Sequence, residues 1–357
     1  MNKALPPAIF IKPSRSSFIH IDENILTKRF RLSAIYLAQD ISKGVYFWRI
    51  LLMMIRILIS FKTKLVIVWF ADYHAAIAVL TARILGKKSL IFVGGYDAVR
   101  YPQLGMGVYV NAFRGKCASF ALKHCDRVIV NHETLIDSDN FYYNPEGHPE
   151  GIKRLVAGLE TPVDVVYNAV TTSPPVSINR DRHIHILAVG STPRYEDLYN
   201  KGYDLLIETA KQMHDYQFVI VGIRDCWMPD IEACFHVSSI LNLRLMPPLP
   251  QTMVFELMRD SMIFAQPSIS EGMPNSLMEA MLMGCVPVGS SVAGIPMIID
   301  QYGIVFTKRD ALSLQDALNR ALVLDAGRDI ISKSIATRFS LEKRERALLE
   351  SVDRLFD

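Results

Sequence analysis

Short, almost uninterrupted apolar runs alternate with longer amphipathic segments along most of this chain, and few architectures accommodate that pattern. Strands are expected at 8–11, 65–70, 89–93, 127–130, 163–167, 183–189, 217–221, 243–245, 262–265, 286–289 and 303–306. Helices are expected between most of them, at 74–85, 113–124, 201–213, 250–259, 276–283, 312–324 and 341–355. Strands apolar on both faces and separated by helices belong to parallel sheets covered on both sides. Eleven strands exceed what one compact sheet of this kind usually holds, so two doubly wound α/β halves are expected.

At 357 residues the chain is long enough for two domains. The segment 171–182, rich in Ser, Thr and Pro, has linker chemistry: its proline pair, Pro174-Pro175, forbids a helix. The boundary is therefore placed there, with an N-terminal domain over 1–175 and a C-terminal domain over 183–338. Charge divides unevenly between the halves. Residues 1–180 carry 22 Lys and Arg against 13 Asp and Glu, and the remainder is net acidic. A basic first half fits an anionic partner, such as a membrane surface, a lipid phosphate or a nucleic acid, although a solubilising charge pattern would look the same. The five cysteines lack metal-binding or paired spacing, which points to free thiols in a reducing compartment, and no N-terminal signal peptide is evident. The most apolar stretch, 45–70, is interrupted by Arg49 and Arg56 and is too broken to span a bilayer. It reads as a buried helix followed by the strand 65–70, with a membrane-dipping helix flanked by basic residues as the sharper alternative.

Several motifs are absent. Leu85-Gly86-Lys87-Lys88-Ser89 lacks the first glycine of a phosphate-binding loop, no Gly-x-Gly-x-x-Gly follows the first strand, and no Gly-x-Ser-x-Gly occurs. His183 and His185 alternate along a strand but have no third ligand nearby, so no metal site is expected.

The informative segment follows the apolar strand at 262–265. Glu271-Gly272-Met273-Pro274 reads as a turn, with Asn275 or Ser276 capping a helix whose first turn carries Glu279. Such a helix N-terminus favours an anionic ligand such as a diphosphate, and carboxylates beside it accept hydrogen bonds from hydroxyls. Taken alone, the segment is equally a strand–turn–helix with a capping glutamate.

Its flanks narrow the reading. The pattern Ser268-x-x-Glu271-Gly272-x-Pro274-x4-Glu279-Ala280-Met281-x2-Gly284-x2-Pro287-Val288 resembles the Glu-x7-Glu signature of family 4 (group 1) glycosyltransferases. Ala188-Val189-Gly190 with Lys201-Gly202-Tyr203-Asp204, then Val221-Gly222, Ala293-Gly294-Ile295-Pro296 and Tyr167-Asn168-Ala169-Val170, resemble further motifs of that family in the same order. The resemblance implies the GT-B fold: two Rossmann-like domains with parallel sheets facing across a cleft, and a C-terminal helix, 340–357, packed back on the first. It implies a retaining, metal-independent transferase that uses a nucleotide diphosphate sugar as donor, needs no cofactor and has a glycan or lipid-linked acceptor. The resemblance further implies a part in surface polysaccharide biosynthesis. Glu279 would bind the ribose and Glu271 the donor sugar. Lys201 would neutralise the departing diphosphate, while Gly190, Gly272, Met273, Pro274, Asn275 and Ser276 would surround the donor.

Two departures stand out. Ser191 occupies the place of an arginine common in the family, and Arg194 is the nearest substitute. In the first half, Gly94-Gly95-Tyr96-Asp97 replaces a loop that often carries a histidine, leaving Asp97 as an acceptor-side polar group or base, with turn and capping chemistry as the alternative. A cytoplasmic protein in peripheral contact with the membrane is expected, with no nucleic-acid partner. The alternatives are a nucleotide-sugar epimerase of the same fold and a non-catalytic nucleotide-sugar-binding partner.

Overall fold

The computed structural model describes residues 5–14, 16–38, 42–172, 182–324 and 327–356. They form two compact units: one from Met1–Ser138, Pro149–Ala169 and Leu341–Asp357, the other from Asp139–His148 and Val170–Ser340. Most of the expected boundary segment, 171–182, lies outside the described residues.

The first unit holds strands β1 (Pro7–Lys12), β2 (Arg31–Tyr36), β3 (Leu65–Trp69), β4 (Lys88–Val93) and β5 (Arg127–Val130). Its helices are α1 (Ser17–Thr27), α2 (Lys43–Ile59), α3 (Tyr73–Ile84), α4 (Ala112–His124) and α5 (Ile152–Leu155). Short strands β6 (Ser138–Asp139) and β7 (Pro149–Glu150) bracket the excursion into the second unit, and β8 (Val163–Val165) completes the sheet. All pairings are parallel, in the order β2-β1-β3-β4-β5-β8. The apolar run of β3 is continuous because both of its faces are covered. Val66 and Val68 pack toward α3, while Leu65, Ile67 and Trp69 share a cluster with Ile19 and Leu26 of α1 and with Leu348 and Val352. The last two lie on α14, defined below.

The second unit contains strands β9 (Ile184–Thr192), β10 (Phe218–Ile223), β11 (Leu243–Met246), β12 (Ser261–Gln266), β13 (Val286–Ser290) and β14 (Ile304–Phe306). Its helices are α6 (Asp197–Asn200), α7 (Tyr203–Ala210), α8 (Met228–Phe235), α9 (Gln251–Arg259), α10 (Asn275–Leu282), α11 (Ile295–Ile299), α12 (Ala311–Leu322) and α13 (Arg328–Arg338). The chain then returns to the first unit as α14 (Leu341–Asp353). The order β11-β10-β9-β12-β13-β14, again all parallel, is the Rossmann order 3-2-1-4-5-6. The crossover direction reverses between β9 and β12. Ligands of such sheets bind at the carboxyl ends of the two strands flanking that reversal.

Three expectations need correction. The strand β2 is missed by the apolar-run criterion because it lies at the sheet edge, where only Ile35 of its six residues is buried. The helix expected at 201–213 starts at Tyr203, because Gly202 is left-handed (φ 68) and ends the short α6 before α7 begins. In α10, Pro274 is the extended N-cap and Asn275 is already helical, so Glu279 falls on the second turn rather than the first.

Candidate active site

In the second unit, glycines draw β10 against the end of β9 and the loop after β9 against the loop after β12. A Cβ on Gly202 would lie 2.2 Å from the carbonyl oxygen of Pro267, and one on Gly222 would lie 2.1 Å from that of Gly190. The Tyr203 hydroxyl donates to the Gly190 carbonyl at 3.1 Å. A Cβ on Gly190 would stand 3.4 Å from the Lys201 side chain. Only bare backbone fits at these positions, and that close approach sets Lys201 opposite the loop after β12.

Lys201 Nζ donates to Glu271 Oε1 at 2.6 Å, the two side chains being 21% and 14% exposed. The same oxygen accepts from Ser268 Oγ (2.9 Å) and Gln266 Nε2 (3.1 Å). Gln266 in turn accepts from Ser276 Oγ at 3.3 Å. One carboxylate oxygen thus gathers an ammonium, a hydroxyl and an amide, and the network fixes the turn against the start of α10. Ser268 was read only as part of the motif, and Gln266 was not singled out in the sequence. The polar side chain of Gln266 at the end of a buried apolar strand was the available signal.

The turn is braced from two further directions. Gly294 N donates to Gly272 O at 3.0 Å, and the preceding Ala293 is held at φ 46, a conformation that favours glycine. Asn140 Nδ2 donates to Ile269 O (2.7 Å), and the Tyr142 hydroxyl donates to Pro267 O (3.3 Å). The excursion at Asp139–His148 therefore supports this loop, a role that nothing in its local sequence signals. Gly272, Met273 and Pro274 are buried, while Asn275 and Ser276 are partly exposed at the first turn of α10. That turn directs backbone N–H groups outward and carries the positive end of the helix dipole. The helix itself rests on Leu277, Met278, Met281 and Leu282. It closes at Gly284 (φ 80), where Cys285 N bonds to Ala280 O and Gly284 N to Met281 O.

Glu279 lies one turn further along, half-buried. Desolvation pushes its pKa up to about 7, although Gln251 Nε2 donates to Oε1 at 3.2 Å and opposes the rise. Arg194 is drawn back onto its own loop. Its backbone N–H bonds Asp197 Oδ2 (2.9 Å) and its guanidinium reaches Asp197 Oδ1 (2.5 Å). This arginine remains 37% exposed.

In the first unit, the structure gives Asp97 a different job from that of a base. It is 1% exposed, Oδ2 accepts from Ala71 N (2.9 Å), and Oδ1 accepts from Gly94 N (3.0 Å) and Gly95 N (3.2 Å). Burial raises its pKa to about 6 against those backbone bonds. The carboxylate ties the loop after β3 to the loop after β4 and is closed to an incoming hydroxyl. Phe70 at φ 66 lies on the same junction, its ring only 2.5 Å from where a Cβ on Gly94 would be. A bulky residue at that φ is an outlier, sustained here by the glycine.

Residues 183–323 match the model of the family described as Glycosyl transferases group 1. That match lies within the second unit. No curated protein sequence matches the chain, but solved structures match nearly all of it. The sucrose-phosphate synthase of Thermosynechococcus elongatus aligns with a TM-score of 0.72 at 12% identity, covering 98% of this chain and 99% of that one. HepE of Anabaena, solved with UDP-glucose, gives 0.68 at 12% identity over 98% and 99%. The lipopolysaccharide outer core galactosyltransferase WaaB gives 0.67 at 16% over 98% and 99%. At these identities the likeness concerns the fold. Two parallel six-stranded α/β sheets in one chain, matching these neighbours throughout, are the GT-B fold.

Proposed function

We propose that the protein transfers a sugar from a nucleotide diphosphate sugar to a glycan or lipid-linked acceptor in polysaccharide synthesis. The donor site would lie at the ends of β9 and β12. The observation that carries this reading is the Lys201–Glu271 pair at the reversal point of a Rossmann-ordered sheet, beside the N-terminus of α10. A diphosphate entering there meets an ammonium and a helix N-terminus, both of which favour the charge that grows as the glycosidic bond breaks. Those two sources of positive field make metal-independent transfer our reading. The three bonds recorded to Glu271 all fall on Oε1, so Oε2 is the oxygen that would accept hydroxyls of the donor sugar. Glu279 would accept from the ribose. Arg194 would take the place of the arginine missing at Ser191 by exchanging Asp197 for a donor phosphate. Retention at the anomeric carbon would follow from attack on the face the phosphate leaves, with the departing phosphate oxygen taking the acceptor proton. That route requires no protein base in the position first considered for Asp97. The UDP-glucose bound by HepE supports a nucleotide sugar as the donor class.

Turnover of a panel of nucleotide sugars, with and without a chelator, tests this together with the anomeric configuration of the product by NMR. Transfer should survive chelation with retained configuration, and Lys201→Ala should lower kcat by about 10²–10³-fold. An inverted product, or activity abolished by chelation, would overturn the mechanism.

A further inference from the structure

The geometry points to a second interaction surface: the outward face of α2 is a docking site for an anionic lipid bilayer. This inference concerns the first unit alone and stands apart from the reading of the donor site.

The helix α2 buries a single seam, Tyr46, Ile50, Met53 and Ile57, which recurs at four- and three-residue spacing. At 100° per residue, the side opposite that seam is formed by Trp48, Leu51, Leu52, Ile55, Leu58 and Ile59. These residues are between 38% and 63% exposed. A surface helix ordinarily turns charge outward, whereas this one is apolar on both sides. Phe61, just beyond its end, is 86% exposed. Seventeen residues give a helix of roughly 25 Å, and among the described residues no helix is long and apolar enough to cross a membrane. The geometry is that of a helix lying in an interface rather than through it.

Charge selects the occupant. From Lys43 to Lys64 the sequence carries five basic residues, Lys43, Arg49, Arg56, Lys62 and Lys64, and no acidic one. Arg49 and Arg56, seven residues apart, fall on the same border of the apolar face. With Leu52 and Met53 they line a cavity of about 260 Å³ between α2 and the edge strand β2. Arg56 also donates to Ser33 Oγ at 2.6 Å, which anchors it at the cavity rim. A second copy of the chain laid on this face would set cations against cations, with no acidic partner on the helix. A bilayer rich in anionic headgroups provides apolar depth for the exposed aliphatic side chains and negative charge along the border that holds the arginines.

Co-sedimentation of the full chain with phosphatidylcholine vesicles, and with vesicles containing 30% phosphatidylglycerol, tests the proposal. Binding should favour the anionic vesicles, weaken as salt rises, and shift Trp48 emission to the blue, a change absent in Trp48→Phe. Ile55→Glu should reduce binding at least tenfold, and Arg49→Gln with Arg56→Gln about tenfold or more. Leu312→Glu, at an exposed site on the second unit, should leave it unchanged. Unaltered thermal unfolding of the variants shows that the fold is kept. Absence of sedimentation with either vesicle, or binding indifferent to Ile55→Glu in a folded variant, would overturn the proposal. So would a concentration-dependent dimer lost in Ile55→Glu without vesicle binding, which would give the face to a second copy.

Discussion

Glu279 shows what single residues contribute here: a carboxylate placed where water is scarce, with one amide as its recorded partner. Its raised pKa gives stability a definite sign. A carboxyl group that holds its proton more tightly when folded contributes stability fully below its unfolded pKa, and that contribution is lost as pH rises through about 7. Glu279→Gln should therefore match the wild type near pH 4.5 and exceed it in melting temperature above pH 7. Binding should run the other way. Ribose hydroxyls donate to the ionised carboxylate, so affinity for a nucleotide sugar should rise between pH 6 and 8 in the wild type and stay flat in the glutamine variant. A flat wild-type profile would remove Glu279 from the ribose. Asp97 shows the limit of reading residues singly. Gly94-Gly95-Tyr96-Asp97 signals a turn at a strand end, but burial decides whether the carboxylate meets substrate or backbone. Ala293 marks a similar limit: the residue is not a glycine, yet its backbone takes the left-handed conformation that glycine favours.

At the scale of elements, the site depends on loops that approach closer than any side chain allows. Gly202 is left-handed and stacked against the Pro267 carbonyl. Alanine there would combine a disfavoured φ with a backbone clash. Gly202→Ala should cost more than about 2 kcal/mol in urea unfolding and should separate Lys201 from Glu271. A variant of wild-type stability would show that the loops are looser than their geometry indicates. Most strands were legible because parallel sheets bury both faces, and the resulting apolar runs stand out from their flanks. Edge strand β2 escaped because solvent relieves it of that requirement. Helix α2 was legible as a helix, but the sequence left open whether it was buried or had an outward apolar side. An all-apolar helix reads as buried, and only the fold reveals that one seam is covered.

For the molecule as a whole, the chain twice leaves a unit and returns. Residues Asp139–His148 join the second unit and brace the loop after β12, and α14 returns to the first. In the first unit a buried ion pair secures that return: Arg344 Nε and a terminal nitrogen reach Asp22 at 2.7 and 2.8 Å, and a second terminal nitrogen donates to the carbonyls of Val166 and Tyr167. Motif order along the sequence pointed both to the segment after β12 and to Lys201, seventy residues earlier, and the fold brings Lys201 and Glu271 together. The supports from Asn140 and Tyr142 are contributed from more than a hundred residues away, and no local pattern announces them. We propose that Lys201, Glu271 and Glu279 form one nucleotide-sugar site. Calorimetric titration of the full chain with the nucleoside diphosphate that most raises its melting temperature tests it most directly. Saturable binding at one site is expected, weakened at least tenfold in both Lys201→Ala and Glu279→Ala while the fold is kept. Equal affinity in the wild type and both variants would contradict it.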